Sequence, residues 1–250
     1  MTRPFSVRPM LGSSVLAVLL AALPAGVLTA SRADASPSGY LCNGGTIPAG
    51  TYQRMTVAGA CSAAAGTLVV RAGLTVASSA ALSVPPGSAL VVSGGVALES
   101  AGSLIASAAR VSGGLSADHP TFLLLGATTV NGPVAIVGGI SVDVRASTLN
   151  GGFSQRSMGS VGSTTIAQST VRGGVVVANG AIRGGVDLLG DRILGGVSIV
   201  DVLSRSDMAS TISGNAIFGG LVCVGNTPPP VNGGIPNAVA GREIGQCAGL

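Results

Sequence analysis

Val171-Arg172-Gly173-Gly174-Val175, Ile182-Arg183-Gly184-Gly185-Val186 and Ile193-Leu194-Gly195-Gly196-Val197 are three copies of one short phrase, spaced by eleven residues. A motif that returns at a fixed period, with each copy too short to bury its own apolar face, predicts a solenoid whose neighbouring coils cover one another. Thr148-Leu149-Asn150-Gly151-Gly152-Phe153 and Thr170-Val171-Arg172-Gly173-Gly174-Val175 lie 22 residues apart, two steps of eleven. Thr129-Val130-Asn131-Gly132-Pro133-Val134 is a looser copy upstream, and Ile217-Phe218-Gly219-Gly220-Leu221 is the last one downstream. At a strand rise of ~3.3 Å per residue, a 22-residue coil suits a triangular or flattened parallel β-helix. The crossover rule makes it right-handed, and glycines stand at corners where the backbone needs positive φ or close approach. The competing fold is an antiparallel sandwich, which would ordinarily show a larger aromatic core and no copied motif.

Composition agrees with a rigid, aliphatic solenoid. There are 40 glycines, two Tyr, four Phe and no Trp, and 9% of residues are charged. The mean hydropathy of +0.64 is high enough for a membrane protein. Beyond the first residues, however, the apolar content is spread as short Val, Leu, Ile and Ala runs between Gly, Ser and Asn turns, which is how short strands are written. All 13 basic residues are arginine, which together with the Ala and Gly excess suggests a GC-rich bacterial genome.

The N-terminus reads as a Sec signal peptide over residues 1–35. Arg3 and Arg8 form its basic region, Val15 to Leu23 is an unbroken apolar run, and Ala33-Asp34-Ala35 is a small-x-small cleavage site. The apolar run is shorter than the ~20 residues that a membrane span needs and is followed at once by Pro24, so no stable anchor is expected after cleavage. The residue before Cys42 is Leu41 rather than a small one, which argues against a lipoprotein, and the C-terminus carries no wall-sorting signal. The product is expected to be secreted, extracellular or held non-covalently at the cell surface. Without the first 35 residues, 10 arginines face 8 carboxylates, a charge of +2. That is too weak for nucleic acid, which needs a concentrated basic patch.

The four cysteines sit at the two ends: Cys42 and Cys61, then Cys223 and Cys247. Local pairing, Cys42 with Cys61 and Cys223 with Cys247, is expected, and two other connectivities are open to four cysteines. A solenoid exposes its core and its unpaired strand edges at both termini, so disulfides there would hold down caps. The organisation that follows is a cap over residues 36–65, β-helix coils over 66–222 and a second cap over 223–250. No pair of cysteines has CxxC spacing and His119 is the only histidine, so no metal site is expected.

Catalytic candidates are few. Many β-helices act on acidic polysaccharides with clustered carboxylates and a basic residue. Asp187, Asp191 and Asp201, near Arg183 and Arg192, are the best such group, and solvated loop charges explain them equally simply. The few aromatics left after cleavage offer little on which to stack a sugar. Asp187-x-x-x-Asp191 stands beside glycines without the Gly-Gly-x-Gly-x-Asp calcium pattern. Ser116, Asp118 and His119 are too close along one turn to make a triad. The Gly-Gly pairs precede strands rather than helices, so they are not phosphate loops, and no cofactor is expected. Arg172 and Arg183 both precede Gly-Gly, so they are weak candidates for a shared anion-binding or wall-polymer-binding stripe.

The terminal motifs carry a resemblance. Cys42…Gly50-Thr51-Tyr52…Cys61 opens the mature chain; Cys223-Val224-Gly225-Asn226-Thr227-Pro228 and Gly245-Gln246-Cys247-Ala248-Gly249-Leu250 close it. In these the chain resembles small secreted bacterial, actinobacterial-type, parallel β-helix proteins. More distantly, its repeats are similar to those of the polymer-forming bactofilins, which lack a cleaved signal and terminal disulfides. The resemblance implies fold and export and brings no activity or catalytic residue. Repeats of that family often carry Asn after the coil glycine, building an internal Asn ladder; here a second glycine often takes that place, so no strong ladder is expected. The reading is a non-enzymatic structural or interaction protein whose partner is a cell-envelope polymer or protein. The alternative is a polysaccharide-active lyase or hydrolase using the Asp cluster.

Overall fold

The computed structural model describes residues 39–159, 162–205 and 208–250. The expected signal peptide lies outside the described residues. The described chain is an all-β parallel solenoid of about 9 turns without a helix. Parallel ladders from coil to coil rule out the antiparallel sandwich.

Each turn crosses three faces. In one turn Val175–Ile182 opens on the first face, Val186–Leu189 forms the third and Arg192–Ile193 the second, before Val197–Ser204 returns to the first. The first face runs from Tyr40–Cys42 to Glu243–Gly245 and the third from Gly45–Ile47 to Thr211–Ser213. The second ends at Ala238–Val239. Strand pairing therefore extends through both disulfide-bearing ends.

Period-two alternation decides which side chains face in. Along Val186–Leu189, Val186 and Leu188 are buried while Asp187 and Leu189 face out. Stacking repeats this from coil to coil, so that Val134, Phe153, Val175 and Val197 form one inward column. Val175, Val186 and Val197 are all buried, as their motif predicts. Buried Val, Leu, Ile and Ala fill nearly all of the interior; Tyr52 and Phe153 are its only buried aromatics among the described residues.

The three corners use different devices. Between the second and first faces, the Gly195 amide donates to the Gly173 carbonyl at 3.1 Å and Gly219 donates to Gly195 at 3.0 Å. A Cβ on Gly195 would lie 2.7 Å from Gly173 backbone atoms, so the close stacking of coils itself requires glycine there. Gly184 is not in this column. Its amide donates to Gly162 at a different corner, the one leading into the third face. The eleven-residue spacing is thus half a turn, and only the 22-residue spacing, as from Val175 to Val197, brings equivalent residues into contact. Turns shorten to 15 residues at the start, from Tyr40 to Met55, and lengthen to 24 from Val197 to Leu221. The other two corners each turn on one left-handed residue per coil. Asn179, Asp201 and Gly225 (φ 55°, 53° and 68°) serve after the first face; Ala146, Gln168 and Gly190 (49°, 52° and 65°) serve before the second.

Cys42–Cys61 and Cys223–Cys247 are disulfides, and all four cysteines are buried. Cys42 belongs to the first face and Cys61 to the third, so the first bridge crosses the interior of the opening coil. With sequence separations of 19 and 24 residues, each bridge stabilises by about 3 kcal/mol through the unfolded chain. Terminal coils have a neighbour on one side only. Reduction is therefore expected to cost hydrogen-exchange protection first in residues 40–61 and 223–250, while Gly173 to Ile199 stays protected. A uniform loss through the central coils would refute this.

Candidate functional site

The three candidate carboxylates go to three different places. Asp187 stands on the outer side of the third face, level with Thr165 and Thr211. Asp201 is exposed at the left-handed corner after the first face. Asp191 is inside the solenoid, 2% exposed, which corrects its reading as a solvated loop charge. Among the described residues, no group of three or more His, Cys, Asp and Glu side chains is placed to hold a metal ion. Asp207 lies outside the described residues.

Asp191 is one rung of a polar ladder that climbs the inside of the corner between the third and second faces. The Thr128 amide donates to Ser147 Oγ at 3.0 Å and the Ser147 amide to Ser169 Oγ at 3.1 Å. The Ser169 amide donates to Asp191 Oδ1 at 2.7 Å, the Asp191 amide to Asn215 Oδ1 at 2.8 Å and the Asn215 amide to Asn237 Oδ1 at 3.0 Å. Each side chain caps an amide that the corner turns away from the sheet ladders, satisfying a buried donor. Most rungs also give a proton back. Ser147 Oγ donates to the Leu125 carbonyl, Asn215 Nδ2 to that of Leu188 and Asn237 Nδ2 to that of Ile212. The equivalent carbonyl for Asp191 is that of Ile166, which pairs with Leu188 in the third face. An ionised Asp191 has no proton to give it.

That difference sets the carboxyl's acidity. Burial pushes Asp191 from 3.8 up to about 7, against the opposing pull of the Ser169 and Leu189 amides. A strongly perturbed acid is a common sign of an active site. Here the perturbation has a structural cause, since the bonded partners are backbone amides of the same corner.

Sequence reasoning placed the ladder wrongly. It looked after the coil glycine, whereas the rungs come four residues before it: Ser147 before Gly151, Ser169 before Gly173, Asp191 before Gly195, Asn215 before Gly219 and Asn237 before Gly241. The polar residue at that fixed offset was the available signal. A shorter ladder rises at the corner after the first face, where the Asn226 amide donates to Gln246 Oε1 and the Val202 amide to Asn226 Oδ1.

Arg172 and Arg183 do not form one stripe. Arg172 continues the second face, its amide bonded to the Leu149 carbonyl. Arg183 lies half a turn away, at the corner before the third face, stacked with Arg205. The arginine that does neighbour Arg172 is Arg192, on the next coil of the second face. His119 and Asp118 form an exposed pair, Nδ1 to Oδ1 2.7 Å, and the His119 ring lies over Gly138 of the next coil. On the third face, Arg145 pairs with Asp143 at 2.7 Å.

Two shallow concavities mark the outer faces. One of about 660 Å³ follows the N-terminal half of the first face, past Arg54, Thr75, Ala97 and Ser116. Another of about 310 Å³ lies on the second face between Ala216, Phe218, Ala238 and Ala240. Neither is lined by a carboxylate. Comparison with family models, with curated proteins and with solved structures found no match for the chain.

Proposed function

We propose that this chain works outside the cytoplasm as a non-catalytic structural or interaction module of the cell envelope, meeting its partner with an outer face of the solenoid. The observation that carries this reading is the placement of Asp187, Asp191 and Asp201. They sit on an outer face, in an internal ladder and at an opposite corner, so the one carboxylate group that the sequence offered for glycoside chemistry is dispersed. General acid–base cleavage of a sugar chain needs two carboxyls flanking one bond. The two disulfides favour an oxidising compartment, and the resemblance to small secreted β-helix proteins, carried by the terminal cysteine motifs, supports export.

Two measurements test the reading. Protein recovered from culture medium is expected to begin at Ser36 and to show no reactive thiol until it is reduced. A start at Met1, or two or more native thiols, would overturn export. Incubation with a panel of acidic polysaccharides is expected to release neither new reducing ends nor unsaturated products. Release of either, abolished by Asp187→Asn or Asp201→Asn, would replace this reading with that of a lyase or hydrolase.

A further inference from the structure

The second face differs in charge from the other two. Its outward positions carry Arg71, Arg110, Arg172 and Arg192, all exposed, and no carboxylate among the described residues. The third face has Asp143 and Asp187 at its outward positions, and the first has Asp118 and Glu99 at its outer edge. Asp191 belongs to the second-face corner by sequence, but its side chain is turned into the core. Uncompensated arginines on one side of a rod make a field that favours an extended anion.

The groups between the arginines are those that bind hydroxyls. Thr129, Thr148 and Thr170 stack in the column that leads from Arg110 to Arg192. Beside them Asn150 Nδ2 donates to Asn131 Oδ1 at 2.7 Å, just before Arg172 in the neighbouring column. Successive coils are ~4.8 Å apart, a step comparable to the length of one pyranose ring in an extended chain. At the C-terminal end of this face the Arg192 guanidinium lies 5.0 Å from the centre of the Phe218 ring. Phe218 is 51% exposed and forms one wall of the 310 Å³ trough whose floor is Ala216, Ala238 and Ala240. A guanidinium stacked on an aromatic ring keeps its N–H edge free for a carboxylate.

We infer that the second face binds a linear polyuronate, a carboxylated polysaccharide laid along the solenoid axis. Arg172 and Arg192 take sugar carboxylates, and the Thr and Asn columns take hydroxyls. The Phe218 trough takes the apolar face of a terminal ring. A nucleic acid fits less well, because one exposed aromatic offers no succession of base-stacking platforms. The inference rests on the non-catalytic reading above and names the partner class of that module.

The test is retention of the exported full chain by polygalacturonate in affinity electrophoresis, with dextran as neutral polymer and polyphosphate as a polyanion without sugar. Polygalacturonate is expected to retain the protein and dextran to leave it free, with retention falling as salt rises. Arg172→Gln combined with Arg192→Gln is expected to weaken retention about tenfold or more, with the melting temperature unchanged. Phe218→Ala is expected to weaken polygalacturonate binding and to leave any binding of polyphosphate as it was. No retention by polygalacturonate, equal retention of the double variant, or retention by polyphosphate as strong as by polygalacturonate would each overturn the inference. None of these results bears on the non-catalytic reading, which fails only if the polymer is shortened.

Discussion

Asp191→Asn is expected to stabilise the protein at pH 8 and to flatten its stability between about pH 4 and pH 7. The wild-type carboxyl titrates near 7 in the folded chain and at 3.8 in the unfolded one, because the corner desolvates it. A group whose folded value is raised contributes stability that is complete below the unfolded value and lost as pH rises through the folded one. Three units correspond to at most ~4 kcal/mol. Asparagine removes the charge and keeps the acceptor that the Ser169 and Leu189 amides use. It also supplies the missing donor. Its Nδ2 would reach the Ile166 carbonyl as Asn215 reaches Leu188 and Asn237 reaches Ile212. Asp191→Ala leaves both amides without an acceptor and is expected to lose ~1–3 kcal/mol at pH 5, where the wild-type side chain is largely neutral. Denaturant unfolding of the three proteins at pH 5 and pH 8 separates these outcomes. An Asn variant less stable than wild type at pH 8 would show that the buried charge is worth more than its desolvation costs.

The fold was legible because solenoid packing is written into sequence period, and the site was not because exposure is not. Gly173, Gly184 and Gly195 share the same local phrase, and only the register shows that 173 and 195 touch while 184 serves another corner. Arg172 and Arg183 inherit that ambiguity and separate by half a turn. Aspartate is ordinarily a surface residue, so Asp191 read as a solvated charge. What places it inside is its column, in which Ser169 below and Asn215 above present the same side of the chain to the core. The arginine-bearing face was hidden for a related reason. Its members lie 20 to 62 residues apart in sequence and become neighbours or alignments only once each 15- to 24-residue turn is closed.

Gly195→Ala is expected to destabilise the protein by about 3 kcal/mol, the upper end of ordinary overpacking, while Gly190→Asn changes it by less than about 1 kcal/mol, as at a surface site. Five residues apart in one coil, the two glycines serve opposite needs. Gly190 has positive φ, 65°, and a Cβ there meets nothing within 4 Å. Its column already holds Ala127, Ala146 and Gln168 at φ of 45°, 49° and 52°, so the corner accepts a side chain, and asparagine tolerates this conformation well. Gly195 carries no such backbone requirement. Its Cβ would come 2.7 Å from the carbonyl carbon and oxygen of Gly173 and from the Gly174 amide nitrogen. Relief would have to come from backbone atoms that are themselves held by the Gly195 amide and, on the far side, by Gly219. A methyl group at this position therefore pries apart three coils, and because each coil is stabilised chiefly by its neighbours, the damage propagates along the rod. Paired thermal unfolding of the two variants is the measurement. Equal losses would mean that glycine serves the corners through conformation alone, and that the close stacking of coils is not what keeps the Gly-Gly pairs in place.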